Sequence, residues 1–123
     1  MAQKYIEGDI VMYGNNIMII KEPREEGHFD LLWNNWIIYS YINIEEIKPV
    51  PLTPEILEKN GWKLSHGFYW SPNEEGAEVG LSSQTGYVWN AYMKSYPLRS
   101  GINSVSDLQH LLFGLGLNSE MEV

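Results

Sequence analysis

The sequence predicts an α+β chain built as two small lobes. Three observations carry that reading. Short β-prone stretches separated by Gly, Asn and Pro recur from Ile6 to Leu52 and again from Trp62 to Ser100. A capped helical segment stands between these stretches, and a second helical segment with apolar residues at helical spacing follows the last strand. A length of 123 residues suits one ordinary domain or two very small lobes sharing a core.

Ile10-Val11-Met12-Tyr13 and Ile17-Met18-Ile19-Ile20 flank Gly14-Asn15-Asn16, residues that tolerate positive φ, and so predict a tight hairpin. Lys21 to His28 holds Pro23, Gly27 and several charges, which reads as an exposed loop. A second hairpin runs from Phe29 to Trp33, turns at Asn34-Asn35 and returns from Trp36 to Tyr41. Ile42 to Ile47 reads as one tight turn, and Lys48-Pro49-Val50-Pro51-Leu52 as a last edge strand, because two prolines remove donors that a central strand needs. Five short strands over residues 1–52 predict a small rolled barrel of SH3-like type.

Thr53 is a good N-cap, and Pro54 suits the first helical position, where its missing N–H costs nothing. Leu52 and Leu57 have the spacing of a hydrophobic staple, and Asn60-Gly61 ends the helix so that Trp62 reaches back to Leu57. So short a helix is not stable alone and must dock. Beyond it the strand signals are Trp62–Leu64, Phe68–Trp70, Ala77–Leu81 and Tyr87–Met93, with Tyr96–Leu98 as a short edge piece. Turns fall at His66-Gly67, across Pro72 to Gly76, and at Gln84-Thr85-Gly86, which makes an antiparallel meander. Ser104 opens the last helix, with Asp107 as a weaker form of the capping box. Val105, Leu108, Leu111, Leu112 and Leu115 line one face, suited to covering one side of the sheet. This second lobe spans 53–117, and 118–123 is expected to fray.

The stretches from Glu7-Gly8-Asp9-Ile10-Val11, Pro49-Val50-Pro51-Leu52-Thr53 and Val105 to Leu115 carry a resemblance. With its P-x-P-L-T hinge before the first helix and V-x-x-L-Q-x-L closing helix, the chain resembles short, uncharacterised proteins of Bacteroidetes genomes, their phages and their conjugative elements. Trp62 stands where that group usually has Phe, and Ser106-Asp107 departs from its usual His-x. The shared positions are caps and core residues, so the resemblance implies a fold and a mobile-element origin. It carries over no activity.

Lys and Arg total 8 against 16 Asp and Glu, a formal net charge of -8. A surface of that sign argues against direct binding to nucleic acid, which needs cations to neutralise phosphates. With no cysteine, disulfides, thiol catalysis and Cys-type metal sites are excluded. No apolar run approaches the roughly 18 residues of a spanning helix, so no membrane role is expected and the default compartment is the cytoplasm.

His28 and His66 stand beside glycines in turns, and none of the three histidines shows metal-ligand spacing. Ser106, Asp107 and His110 lie too close along one short helix to surround a substrate atom as nucleophile, orienter and base. Glutamate pairs recur at Glu25-Glu26, Glu45-Glu46 and Glu74-Glu75, with Glu78 near the last. No calcium-loop pattern and no phosphate-binding glycine motif accompanies them. No metal, no cofactor and no catalysis is expected.

Aromatic residues make up 13% of the chain, and a body this small cannot bury them all. Trp33 and Trp36 flank a hairpin tip. On alternation, either Tyr69 with Tyr92 or Trp89 with Trp70 is left on an open sheet face. The expected function is a non-enzymatic acidic module that binds a protein with a basic surface. Glu22, Glu25, Glu26, Glu45, Glu46, Glu74, Glu75 and Glu78 would steer the encounter, and Trp33, Trp36, Tyr69, Trp89 and Tyr92 would anchor it. Joined to the mobile-element resemblance, this extends to an inhibitor of a host defence enzyme of the CRISPR-Cas or restriction type. The rival reading is an oligomeric virion-associated or housekeeping protein, and a small hydrolase ranks last.

Overall fold

Residues that accept positive φ decide where the first sheet turns. Strands β1 (Ile10–Tyr13) and β2 (Asn16–Pro23) pair with Tyr13 opposite Asn16, leaving Gly14-Asn15 as a two-residue turn with Gly14 at φ 60°. Strands β3 (His28–Trp33) and β4 (Ile37–Asn43) turn at Asn34 and Asn35, whose φ values of 53° and 67° match the mirror-image turn that suits a twisted hairpin. The computed structural model describes residues 5–72, 78–93 and 96–123. The chain divides into two units, Met1–Val50 and Pro51–Val123, two residues ahead of the boundary expected after Leu52.

In the first unit β5 (Ile47–Pro49) pairs with β1, giving an antiparallel sheet of order β4-β3-β2-β1-β5. The expected barrel is thus observed as a five-stranded antiparallel sheet, with no ladder joining β4 to β5 among the described residues. Alternation points Val11, Met18, Ile20 and Leu31 into one core with Tyr5, Phe29 and Ile47, and Tyr13, Trp33 and Tyr39 pack against it. The exposed loop expected from Lys21 is shorter than its composition suggests. β2 continues through Glu22 and Pro23, which pair with Asp30 and Phe29, and only then does a 3₁₀ turn, Glu25–Gly27, intervene. Likewise β4 runs on to Asn43, whose side chain accepts from the Glu45 amide at 2.9 Å and starts a second 3₁₀ turn, Ile44–Glu46.

In the second unit the helix signals are met closely. Helix α1 (Pro54–Lys59) is capped by Thr53 Oγ1, which accepts from the Ile56 amide at 3.3 Å. It exits through Gly61 at φ 85°, with the Trp62 amide donating to the Leu57 carbonyl at 3.0 Å. The sheet that follows is a meander of order β10-β9-β8-β7-β6. Its strands are β6 (Lys63–Ser65), β7 (Phe68–Trp70), β8 (Val79–Ser82), β9 (Trp89–Met93) and β10 (Tyr96–Ile102). The short edge piece expected at Tyr96 is a seven-residue strand, because two register shifts let it follow β9 from Met93 back to Trp89. Tyr87 and Val88 leave the strand for the preceding loop, where the Thr85 hydroxyl accepts from both amides. Most of the turn expected across Pro72 to Gly76 lies outside the described residues.

Helix α2 (Val105–Gly114) is capped by Ser104 Oγ, which accepts from the Asp107 amide at 3.1 Å. Asp107 Oδ2 answers by accepting from the amide of Asn103 at 3.3 Å, one residue ahead of the cap, so the reciprocal box is displaced by a residue. Val105, Leu108 and Leu112 are buried together with Leu57, Trp62, Tyr69, Leu81, Trp89 and Ile102. The segment expected to fray is instead tied down. Asn60 exchanges side-chain hydrogen bonds with the Glu122 backbone at 2.7 and 2.8 Å, and Gln109 Nε2 donates to the Ser119 carbonyl at 3.1 Å. Asn60 Nδ2, which also donates to the Ile56 carbonyl at 2.8 Å, and Asn60 Oδ1 together provide both partners for that backbone.

Because Thr53 Oγ1 satisfies an orphan amide at the start of α1, Thr53→Ala should lower unfolding free energy by about 1 kcal/mol in urea titration, with the denaturant slope unchanged.

Candidate functional site

Among its described residues the first unit buries two carboxylates: Asp9, at 1% exposure just ahead of β1, whose Oδ2 accepts from the Ile6 amide at 2.9 Å, and Asp30, at 4% exposure in the middle of β3. Both strands neighbouring β3 deviate from regular pairing around Asp30. On β2 the register shifts between Ile20 and Glu22, and on β4 Ser40 and Tyr41 together stand opposite Asp30. Donors reach Asp30 from just beyond the end of β2 and from the β4 bulge. Arg24 Nε and Nη2 donate to Asp30 Oδ2 at 2.9 and 2.7 Å, and the Tyr41 amide donates to Oδ1 at 3.0 Å. The Arg24 hydrogen bond first, then the Tyr41 amide, hold the carboxyl below the usual carboxylate range, outweighing the upward push of burial. Arg24 is shifted upward by the same hydrogen bond, then by the charges of Asp30 and Glu22.

Tyr41 adopts φ 56° and is half-exposed, at 51%. Its hydroxyl donates to Glu25 Oε1 at 3.0 Å, its ring centroid lies 5.5 Å from that of His28, and the Arg24 guanidinium carbon sits 5.9 Å from it. His28 and Asn43 are cross-strand partners, so the 3₁₀ turn before β3 and the one after β4 meet at the same end of the sheet. A methyl group at Gly27 would lie 3.6 Å from Ile44 Cγ2, which shows how closely the two turns approach. Glu22, Glu25, Glu26, Glu45 and Glu46 are thereby collected from three chain segments onto one end, all exposed. Arg24 is already engaged by Asp30, with Glu22 at 3.8 Å.

The other expected residues are placed differently. Glu78 is exposed ahead of β8, and Glu74 and Glu75 lie outside the described residues. Trp36 is 80% exposed at the hairpin tip, whereas Trp33 is half-buried against Tyr39, ring centroids 6.4 Å apart. The expected open-face pairings of Tyr69 with Tyr92 and of Trp89 with Trp70 are corrected. Register puts Tyr69 in a row with Leu81 and Ala91, and Trp70 in the next row with Gly80 and Tyr92. Tyr69 and Trp89 are therefore buried on the inner face, at 8% and 3% exposure. Both are engaged there: the Tyr69 hydroxyl donates to Glu58 Oε2 at 2.8 Å, which raises its pKa, and Trp89 Nε1 donates to the Leu52 carbonyl at 3.0 Å.

Phe68, Trp70 and Tyr92 share the opposite face, half-buried, with Phe68 5.5 Å from Trp70 and 5.6 Å from Tyr92. Trp70 lies flat over Gly80. A Cβ there would come within 2.9 Å of the indole.

His66 Nδ1 is 2.8 Å from Ser65 Oγ in an exposed turn. Ser106 is buried with its hydroxyl 3.2 Å from that of Ser104, and Asp107 accepts from Asn103 and lies 3.7 Å from Arg99. Among the described residues no three His, Asp or Glu side chains are arranged to hold a metal ion. Nor, among the described residues, is any helix long and apolar enough to cross a membrane. Sequence reading missed Asp30, Arg24 and Tyr41. The one signal for Asp30 was a lone carboxylate inside the apolar run Phe29 to Trp33, while the left-handed backbone of Tyr41 leaves no mark in composition. No family model, no curated protein and no solved structure matches the chain.

A carboxyl whose folded pKa is depressed stabilises the fold above its unfolded value, near pH 4, and loses that contribution as pH falls through the lower folded value. Asp30→Asn should therefore lower the melting temperature at pH 7 and flatten the acid limb of a plot of melting temperature against pH. Gly80→Ala should push Trp70 off the sheet, straining its Nε1 hydrogen bond to the Ser65 carbonyl at 3.1 Å and its packing on Phe68, read as a shift in tryptophan emission with a stability loss of about 1–3 kcal/mol.

Proposed function

We propose that this chain is a non-enzymatic protein-binding module that seats a basic partner on the carboxylate-lined end of its first unit. The observation that carries the reading is the convergence of Glu22, Glu25, Glu26, Glu45 and Glu46 onto one end of a sheet, beside the half-exposed ring of Tyr41. Carboxylates gathered this way focus the negative field of a chain with net charge -8, which speeds encounter with a positive surface and selects against negative ones. Tyr41 adds an amphipathic ring of the type that contributes most at interfaces. The strand order, with a 3₁₀ turn leading into β5 beside β1, fits a partly open SH3-like barrel, and we read the first unit as such. The partner class that matches this surface is a protein whose own face is built to hold nucleic-acid phosphates. With the mobile-element resemblance, a host defence nuclease is the form we favour.

Affinity capture at low ionic strength with the wild-type chain and with a Glu25→Lys, Glu26→Lys, Glu45→Lys, Glu46→Lys variant tests this. A basic protein should co-purify with the wild type, dissociate as salt shortens the screening length to about 3 Å at 1 M, and be lost from the variant. Glu78→Lys, in the second unit, should leave capture intact. A partner held equally by the charge-reversed variant would sink the reading.

A further inference from the structure

The two sheets present four edges, and three of them carry features that discourage pairing with another chain. β5 is three residues long and contains Lys48 and Pro49. β6 is equally short and begins with Lys63. β10 holds Pro97 and Arg99 and is interrupted by two register shifts. β4 differs. Its seven residues, Ile-Ile-Tyr-Ser-Tyr-Ile-Asn, include no proline and no charge, and its irregularity is confined to the bulge at Ser40 and Tyr41.

We propose that β4 is a docking edge to which the partner adds an extended strand. That strand runs antiparallel and carries Lys or Arg at its N-terminal end and apolar residues after them. The partner's charge rests on the reading above, and the edge itself rests on separate observations. Side chains along β4 are left with open flanks. Ile37 and Ile38 are 39% and 46% exposed, and Trp36 just ahead of them is 80% exposed. Ile38 also ends a cross-strand row, Ile10, Ile19, Leu32, Ile38, that passes from buried at β1 through half-buried to exposed at the edge. An added strand would continue that row with an apolar side chain of its own, while its backbone pairs with the outward amides and carbonyls of β4.

For an antiparallel strand, charge decides which of its ends carries the cations. β4 runs from the hairpin tip at Ile37 to Asn43, beside Glu25, Glu26, Glu45 and Glu46. An antiparallel strand begins beside Asn43, so its first residues meet the carboxylates and its later ones meet Ile38, Ile37 and Trp36. A second copy of this chain is disfavoured as occupant. Its own β4 would bring no cation, only the uncharged stretch Ile37–Asn43.

The test is selection of a random decapeptide library on the intact chain, followed by binding measurements on the enriched peptides. Enriched peptides should place Lys or Arg among their first residues and β-branched or aromatic residues later. Ile38→Lys, which puts a guarding charge on an exposed position, should weaken them at least about tenfold, as should methylation of alternate peptide amides. Glu25→Lys with Glu45→Lys should weaken them similarly and in a salt-dependent way.

Peptides that tolerate both Ile38→Lys and amide methylation would overturn edge docking, even if the acidic end still captures basic proteins. Peptides lost on Ile38→Lys yet indifferent to the glutamate reversals would overturn the basic flank and the charge reading with it. A library that yields no enriched class also overturns the proposal. So does sedimentation of the chain alone as a dimer that Ile38→Lys dissolves, since the occupant is then a second copy.

Discussion

The pairing of buried Asp30 with Arg24 is the constraint on the carboxylate-lined end of the first unit. Asp30 lies within an apolar strand, where a bare charge costs several kcal/mol unless donors reach it. Regular strand pairing offers none, because ladder amides face carbonyls. The demand is met by the Arg24 guanidinium, which follows the end of β2, and by the Tyr41 amide in the β4 bulge. With β2 and β4 bent at this point, their ends lead into two 3₁₀ turns at one end of the sheet. The same end of the sheet thus holds both the satisfied interior charge of Asp30 and the surface glutamates of the two turns.

The second unit obeys a different constraint. Its helices cap themselves locally and contribute buried leucines to one side of a five-stranded meander, which leaves the other side to its own aromatic residues. Phe68, Trp70 and Tyr92 cover that face by leaning on one another, and Gly80 makes room for the indole to lie flat. Register sends Tyr69 and Trp89 to the face of Leu81 and Ala91, and each polar tip finds an acceptor there. The aromatic excess is therefore divided between a packed core and a self-covered face, and the most exposed tryptophan, Trp36, belongs to the other unit.

The proposed binding end and docking edge fit this division of labour. Charge collected at one end of a sheet acts over roughly a screening length and sets which partners approach. An unguarded strand edge acts only at contact, through backbone pairing and side-chain pockets that discriminate by pattern. The docking edge is β4 itself, and the turns that carry the glutamates enter and leave the β3–β4 hairpin at its open end.

Elements whose signals are local were legible in the sequence: both helix caps, the Gly14-Asn15 and Asn34-Asn35 turns, the meander after Trp62, and the α+β class itself. Each rests on residues within a few positions of one another, where propensity and capping chemistry operate. The length of β10, the extension of β2 through Pro23 and the tethering of 118–123 depended on partners elsewhere in the same unit and could not be read in advance. So did the sorting of Tyr69 and Trp89 from Trp70 and Tyr92. Alternation separates the two faces of one strand, but only cross-strand register tells which faces of different strands coincide. The acidic residues were visible from composition. Their assembly was decided by the tertiary structure, because the pairing of β3 with β4, His28 opposite Asn43, brings two turns distant in sequence to one end of the sheet.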